Sequence, residues 1–188
     1  MRNLLVLTLL FSAAASVGFA QTPEDWRNYF TDTPLVDQDG NSHRFYTDLL
    51  KGHTVVMNFM FTACRNSCPV MAGNFANIQK WLGDRLGKSV LLLSFTVDPD
   101  TDTASTLKAY AMRMKARPGW YFLTGTKDDL KLVLQRLGQY VEQRDDHQNL
   151  FLIVNEPAGL MKKAFGMAGT RDLIATIDSV ISGVGAER

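Results

Sequence analysis

Thr54-Val-Val-Met-Asn-Phe-Met-Phe61 runs into Thr62-Ala-Cys-Arg-Asn-Ser-Cys-Pro-Val70, and the pattern changes twice along the way. The first eight residues are β-branched, aromatic and almost continuously apolar, which is the signature of a strand buried on both faces of a parallel or mixed sheet. The next segment is short and polar and holds both cysteines of the chain, Cys64 and Cys68. From Pro69 onward Val70, Met71, Phe75, Ile78, Trp81, Leu82 and Leu86 recur at three- and four-residue intervals, predicting a long amphipathic helix that stops near Gly83 to Gly87. Strand, cysteine loop and helix in this order place the first thiol at a sheet edge.

Toward the C-terminus the same alternation repeats. Ser89 to Val97 reads as a second buried strand, Asp98 to Thr103 as a turn, and Ala104 to about Lys115 as a helix. Tyr121 to Thr124 is a third strand, followed by a helix over Lys127 to Leu137 with Leu130, Val133, Leu134 and Leu137 inward. After a polar stretch around Glu142 to His147, Leu150 to Val154 forms a fourth strand, Glu156 to Gly159 a turn, Leu160 to Lys163 the return, and Thr170 to about Ile181 a closing helix. Toward the N-terminus, Leu35-Val36, the Asp37-to-Asn41 turn and Arg44-Phe45 predict a β-hairpin, preceded by a short helix carrying Trp26, Tyr29 and Phe30. The pattern predicts an α/β sandwich of thioredoxin type: a central mixed sheet flanked by helices, with an N-terminal β-hairpin extension. The expected division is a leader at 1–20, a lead-in at 21–34 and one domain at 35–188.

Residues 1–20 open with Arg2, continue with an apolar run from Leu4 to Phe11, and end in a small-residue-rich stretch with Gly18 and Ala20 at the −3 and −1 positions, as a cleaved secretory signal peptide does. The alternative is an uncleaved anchor that leaves the domain on the outer side of the membrane. Removing the leader takes away Arg2 alone among the charges, so 19 basic residues face 19 acidic ones and nothing points to nucleic acid as a partner. An exported, periplasmic chain lies in an oxidising space, where a dithiol closes unless it is reduced or occupied by a metal.

A bridge between Cys64 and Cys68 closes so short a loop that chain entropy supplies only about 2 kcal/mol, poor return for a structural staple. Cys68 sits at or just before a helix start, where free amide N–H groups favour a thiolate. The pair therefore reads either as a redox dithiol or as two metal ligands. Two thiolates are incomplete for a metal; soft Cu(I) accepts three-coordinate geometry that one imidazole would complete, and the set could take Cu(II) with further ligands. Of the three histidines, His43 and His53 read as ordinary surface residues, whereas His147 lies in a polar break just before the fourth strand. Met57, Met60, Met112 and Met114 read as core filler rather than extra copper ligands. A peroxiredoxin reading fails, since Thr62 is only two residues before Cys64 and no proline precedes it in the strand.

Asn58 to Pro69, Ser94 to Thr103, Gly119 to Gly125 and Asp146 to Val154 together resemble the SCO/SenC family, and the similarity runs from about Leu35 to Ile181. The resemblance implies a thioredoxin-like fold that binds copper through Cys64, Cys68 and His147. It implies a metallochaperone serving the copper site of cytochrome c oxidase, by delivering copper or by keeping that site's thiols reduced. The partner is then an exported copper protein such as a cytochrome c oxidase subunit, with a thiol reductant as a second partner and the chain itself a monomer. Asp98 matches an acidic position at a strand end and would orient a ligand or tune the thiols; Asp102 reads as a helix cap or turn former. The chain departs from many family members in having Thr62-Ala63 before Cys64 and Arg65 after it. The other reading of the dithiol is an enzyme, a thiol–disulfide oxidoreductase that acts through Cys64 and Cys68 without obligatory copper.

Overall fold

The computed structural model describes residues 23–183; the leader at 1–20 lies outside them. In chain order the elements are α1 (Pro23–Phe30), β1 (Pro34–Val36), β2 (Ser42–Arg44), a π-helical turn (Phe45–Leu50), β3 (Thr54–Met60), α2 (Cys68–Leu82), β4 (Val90–Thr96), α3 (Ala104–Arg113), β5 (Trp120–Leu123), α4 (Lys127–Arg136), β6 (Leu150–Asn155), β7 (Leu160–Phe165) and α5 (Thr170–Ile181). Every strand and helix expected from the sequence forms, with ends shifted by a residue or two.

The sheet runs in the order β5-β4-β3-β6-β7. β3 and β4 are parallel, in register from Thr54 opposite Val90 to Met60 opposite Thr96, and β5 continues the parallel half. β6 is antiparallel to β3, and β7 is antiparallel to β6. All seven residues of β3 and of β4 are buried, as the unbroken apolar runs require of strands covered on both faces. Alternation along β3 sends Val56 and Met60 into one core layer, with Phe75, Ile78, Tyr110, Phe151 and Ile177 from α2, α3, β6 and α5. It sends Val55, Met57 and Phe59 into the other, with Trp26, Phe30, Leu130 and Val133 from α1 and α4. This is the thioredoxin-like sandwich.

Local chemistry sets the element ends. Pro69 occupies the first turn of α2, where its missing N–H costs no hydrogen bond. Thr103 and Thr126 cap α3 and α4 by accepting from the amides of Thr106 and Asp129. The β1–β2 hairpin closes through Gly40 at φ +85° and the Asp37 carboxylate, which accepts from the amides of Asp39 and Asn41. Val36 and Thr124 exchange backbone hydrogen bonds, tying the hairpin to the end of β5.

Three expectations need correction. Val70, placed on the apolar face of α2, is 47% exposed, and Met112, taken as core, is 72% exposed, because each points away from the sheet on its helix. His43 is not a free surface residue: its Nε2 lies 2.8 Å from Asp37 Oδ2, inside the hairpin. Among the described residues no helix is long and apolar enough to cross a membrane.

Candidate metal centre

The strand directions bring the site together. Because β6 runs antiparallel to β3, with Asn58 opposite Phe151, the chain entering β6 passes beside the segment that leaves β3. The first holds His147, just after a short 3-10 turn at Arg144–Asp146; the second holds the cysteines. Cys64 sits in a tight turn, its amide donating to the Phe61 carbonyl. Cys68 is the first residue of α2. The ligand atoms of Cys64, Cys68 and His147 all lie within 4.8 Å of one another, and Cys68 Sγ is 3.6 Å from His147 Nε2. Three donors on one ion at bonds of about 2.0–2.3 Å stand roughly 4 Å apart, so this triangle closes on an ion with small side-chain adjustments.

Burial governs the protonation of the three. Cys64 is half-buried and both cysteines are free thiols, while Cys68 is almost completely enclosed. Burial, reinforced by the neighbouring Cys64 sulfur, pushes the Cys68 thiol up to about 12. This corrects the expectation that the helix start favours a thiolate there: desolvation outweighs the helix dipole. Burial also holds His147 below its ordinary value, against weaker opposing pulls from the Gln148 backbone and the Asp145 carboxylate. A neutral imidazole and two sulfurs form a soft donor set. Tyr110, buried over the same thiols, is likewise pushed up to about 12, by burial first and then by the two cysteines. Arg65 is exposed.

The His147 arm is held from outside. Arg144 pairs with Asp98 Oδ2 at 2.5 Å and lays its guanidinium over the Phe61 ring at 4.9 Å. The Phe61 ring in turn meets the His147 ring edge-on, with centroids 5.8 Å apart. The Asp98 carboxylate thus acts on the His147 arm through Arg144. A shallow opening of about 510 Å³ beside His147, lined also by Gln148, Asn149, Lys163 and Phe165, gives access to this side.

Sequence reasoning missed one acid. Asp102 is neither the cap of α3, which is Thr103, nor a surface turn residue. It is fully buried, and its carboxylate accepts from the Thr62 amide and hydroxyl and from the Thr96 hydroxyl. The available signal was a threonine just beyond β3 and another at the end of β4, both facing an acid in the Asp98-to-Thr103 turn.

A family model described as SCO1/SenC matches residues 22–182. A SCO1 protein homolog of Bacillus subtilis (strain 168) is 27% identical over 181 residues, covering 91% of this chain and 92% of the relative. The solved structure of BsSco, described as a member of the Sco family of cytochrome c oxidase assembly proteins with a disulfide switch, superposes with a TM-score of 0.67 at 26% identity, over 81% of this chain and 93% of that one. Arabidopsis thaliana ScoI, solved with copper bound, superposes with a TM-score of 0.69 at 21% identity, over 82% of this chain and 98% of that one, a likeness of fold.

Proposed function

The chain belongs to the SCO1/SenC family, and from that premise we propose that it is an exported copper metallochaperone whose cargo is held by the Cys64 and Cys68 thiolates and the His147 imidazole. The observation that carries this reading is the triangle itself: two sulfurs and one imidazole nitrogen within 4.8 Å, assembled from two segments that the sheet forces together. Two thiolates and a neutral imidazole suit Cu(I), and the same set with added ligands accommodates Cu(II). Loading releases the thiol protons, and unloading proceeds by ligand exchange as a partner's donors replace these three in turn.

Cys64 is the half-exposed member and the natural point of exchange. Asp98, acting through Arg144, holds the His147 arm in place. The recipient is an exported copper protein such as a cytochrome c oxidase subunit. Residues 1–20 act as the cleaved signal that takes the chain to the periplasm, where it works as a monomer; an uncleaved leader would instead tether the same domain there. The domain proper spans 35–188, with 21–34 as its lead-in.

The free dithiol favours a second reading, a thiol–disulfide oxidoreductase. The Cys64 thiolate attacks one sulfur of a partner disulfide, forming a mixed disulfide and releasing the other partner sulfur as a thiolate. The Cys68 thiolate then attacks Cys64, closing the Cys64–Cys68 disulfide and freeing the partner dithiol. Two electrons and two protons pass to the partner, and an external thiol reductant must restore the chain.

Competition of the reduced protein lacking residues 1–20 against a calibrated Cu(I) chelator, beside His147→Ala and a disulfide-reduction assay, separates the two. The chaperone reading expects His147→Ala to lose much of its Cu(I) affinity while dithiol chemistry persists; a variant that holds Cu(I) as tightly as the parent sinks the three-ligand site.

A further inference from the structure

Asp102 is fully buried, and the hydrogen bonds its carboxylate accepts come from Thr62 and Thr96. Burying an ionised carboxylate is costly unless its oxygens are fully hydrogen-bonded, and for stability alone an apolar residue serves as well or better. Neither a helix cap nor a turn accounts for it: Thr103 caps α3, and the turn is closed by the Asp102 amide donating to the Asp98 carbonyl. The carboxylate itself is committed elsewhere. Oδ1 accepts from the Thr62 hydroxyl at 2.5 Å; Oδ2 accepts from the Thr62 amide at 3.0 Å and from the Thr96 hydroxyl at 2.6 Å.

These bonds lead to both arms of the donor triangle. Thr62 is two residues before Cys64, and Cys64, like His147, lies outside any helix or strand, so its position depends on what anchors the neighbouring chain. Thr96, while donating to Asp102, accepts from the amide of Asp98, and Asp98 grips Arg144, which sits on Phe61 and leads to His147. One route from the carboxylate ends at Cys64, the other at His147.

We propose that Asp102 is the positioning residue that sets the separation of Cys64 from His147, by anchoring Thr62 and the Thr96–Asp98–Arg144 chain to one buried carboxylate. This rests on the reading of the triangle as a Cu(I) site, but the same spacing also governs how readily Cys64 meets Cys68. Asp102 thereby affects the dithiol with no copper present.

The test uses Asp102→Asn, Thr62→Val and Thr62→Ser in the protein lacking residues 1–20. Three quantities are read: Cu(I) affinity by chelator competition, the dithiol–disulfide equilibrium in glutathione buffers, and thermal unfolding. Asp102→Asn and Thr62→Val are expected to weaken Cu(I) binding about tenfold or more, the range for partners that orient a ligand, and to move the glutathione equilibrium. Thr62→Ser, which keeps the hydroxyl, is expected to stay near the parent in both. The proposal is overturned if folded Asp102→Asn and Thr62→Val keep the parent affinity and equilibrium, or if Thr62→Ser falls as far as Thr62→Val. Should Asp102→Asn not fold, the Thr62 pair decides alone. A parent that binds no Cu(I) defeats the chaperone reading, and the glutathione equilibrium then decides the positioning role.

Discussion

Cys68 Sγ and His147 Nε2 stand 3.6 Å apart across 79 positions of sequence, and both side chains are buried. The contact joins the first residue of α2 to the residue that leads into β6, so it exists only when β3 and β6 are paired. It also sets a protonation problem, since a protonated thiol facing a neutral imidazole must lose its proton before the sulfur can bind a metal ion.

Copper binding is therefore expected to strengthen with pH. The Cys68 thiol, pushed up to about 12 by burial, carries its proton throughout the neutral range, and a bound ion must displace it. Displacement of that proton alone contributes about tenfold per pH unit to the apparent affinity, so the slope is at least that steep. His147, held below its ordinary 6.5, is mostly neutral at pH 7 and adds little to the slope between pH 7 and 8. Chelator competition at pH 7 and 8 reads the slope directly; a flat profile rules out a protonated Cys68. The same lowered His147 gives a stability term that is present above pH 6.5 and lost as pH falls through its folded value, so His147→Ala should flatten the acid limb of the parent's unfolding curve.

The Asp98–Arg144 pair is expected to matter more for copper than for folding. Arg144 is 43% exposed and Asp98 12%, and a pair this accessible to solvent contributes little to stability. Yet the pair holds the arm that carries His147. Arg144→Ala should leave the melting temperature nearly unchanged while weakening Cu(I) binding by up to about tenfold. Arg144→Lys, which keeps the charge but cannot lie flat over Phe61, should recover only part of the loss. In roughly 1 M salt, where screening acts within about 3 Å, the parent should move toward the variant. Equal affinity in parent and Arg144→Ala would show that the arm is held by other contacts.

Much of this fold was legible because its strands are buried on both faces and its helices on one, so apolar runs and three-to-four spacing carry the information directly. The donors were legible for a different reason: few residue types can bind a soft metal, and the chain has two cysteines and three histidines. What escaped depends on closure in three dimensions. Asp102 looks like any acid in a turn until Thr62, 40 residues away, comes to lie on it. The high Cys68 thiol was equally hidden, since a helix start argues for a thiolate and only the enclosing core reverses it. Val70 and Met112 are apolar residues on the outer sides of their helices, which spacing alone does not mark.

Gly119 is a position where a side chain cannot be accommodated. A Cβ there would lie 2.3 Å from the Gly87 amide nitrogen and 2.5 Å from its Cα, both backbone atoms, and φ is +95°. Gly119→Ala should cost about 3 kcal/mol or more, through strain and displacement of the segment that pairs with β4. Gly40→Ala, at φ +85° with nothing within 4 Å, should cost only about 1 kcal/mol. Thermal denaturation of the two compares crowding with conformation alone, and equal losses would remove the role of the Gly87 contact.

The two thiols should also differ in reactivity. The thiolate is the nucleophile, and Cys68 is both enclosed and pushed up to about 12, whereas Cys64 is half-buried on the loop. Brief treatment of the reduced protein with iodoacetamide near pH 8 should therefore give one adduct, at Cys64, with Cys68 labelled only after denaturation. Prior loading with Cu(I) should protect Cys64, because a sulfur bound to the metal is a much weaker nucleophile than the free thiolate. Peptide mapping by mass spectrometry distinguishes the sites, since cleavage after Arg65 puts the two cysteines on different peptides. First labelling at Cys68 would reverse the order of attack in the oxidoreductase reading and make Cys68 the point of exchange for copper.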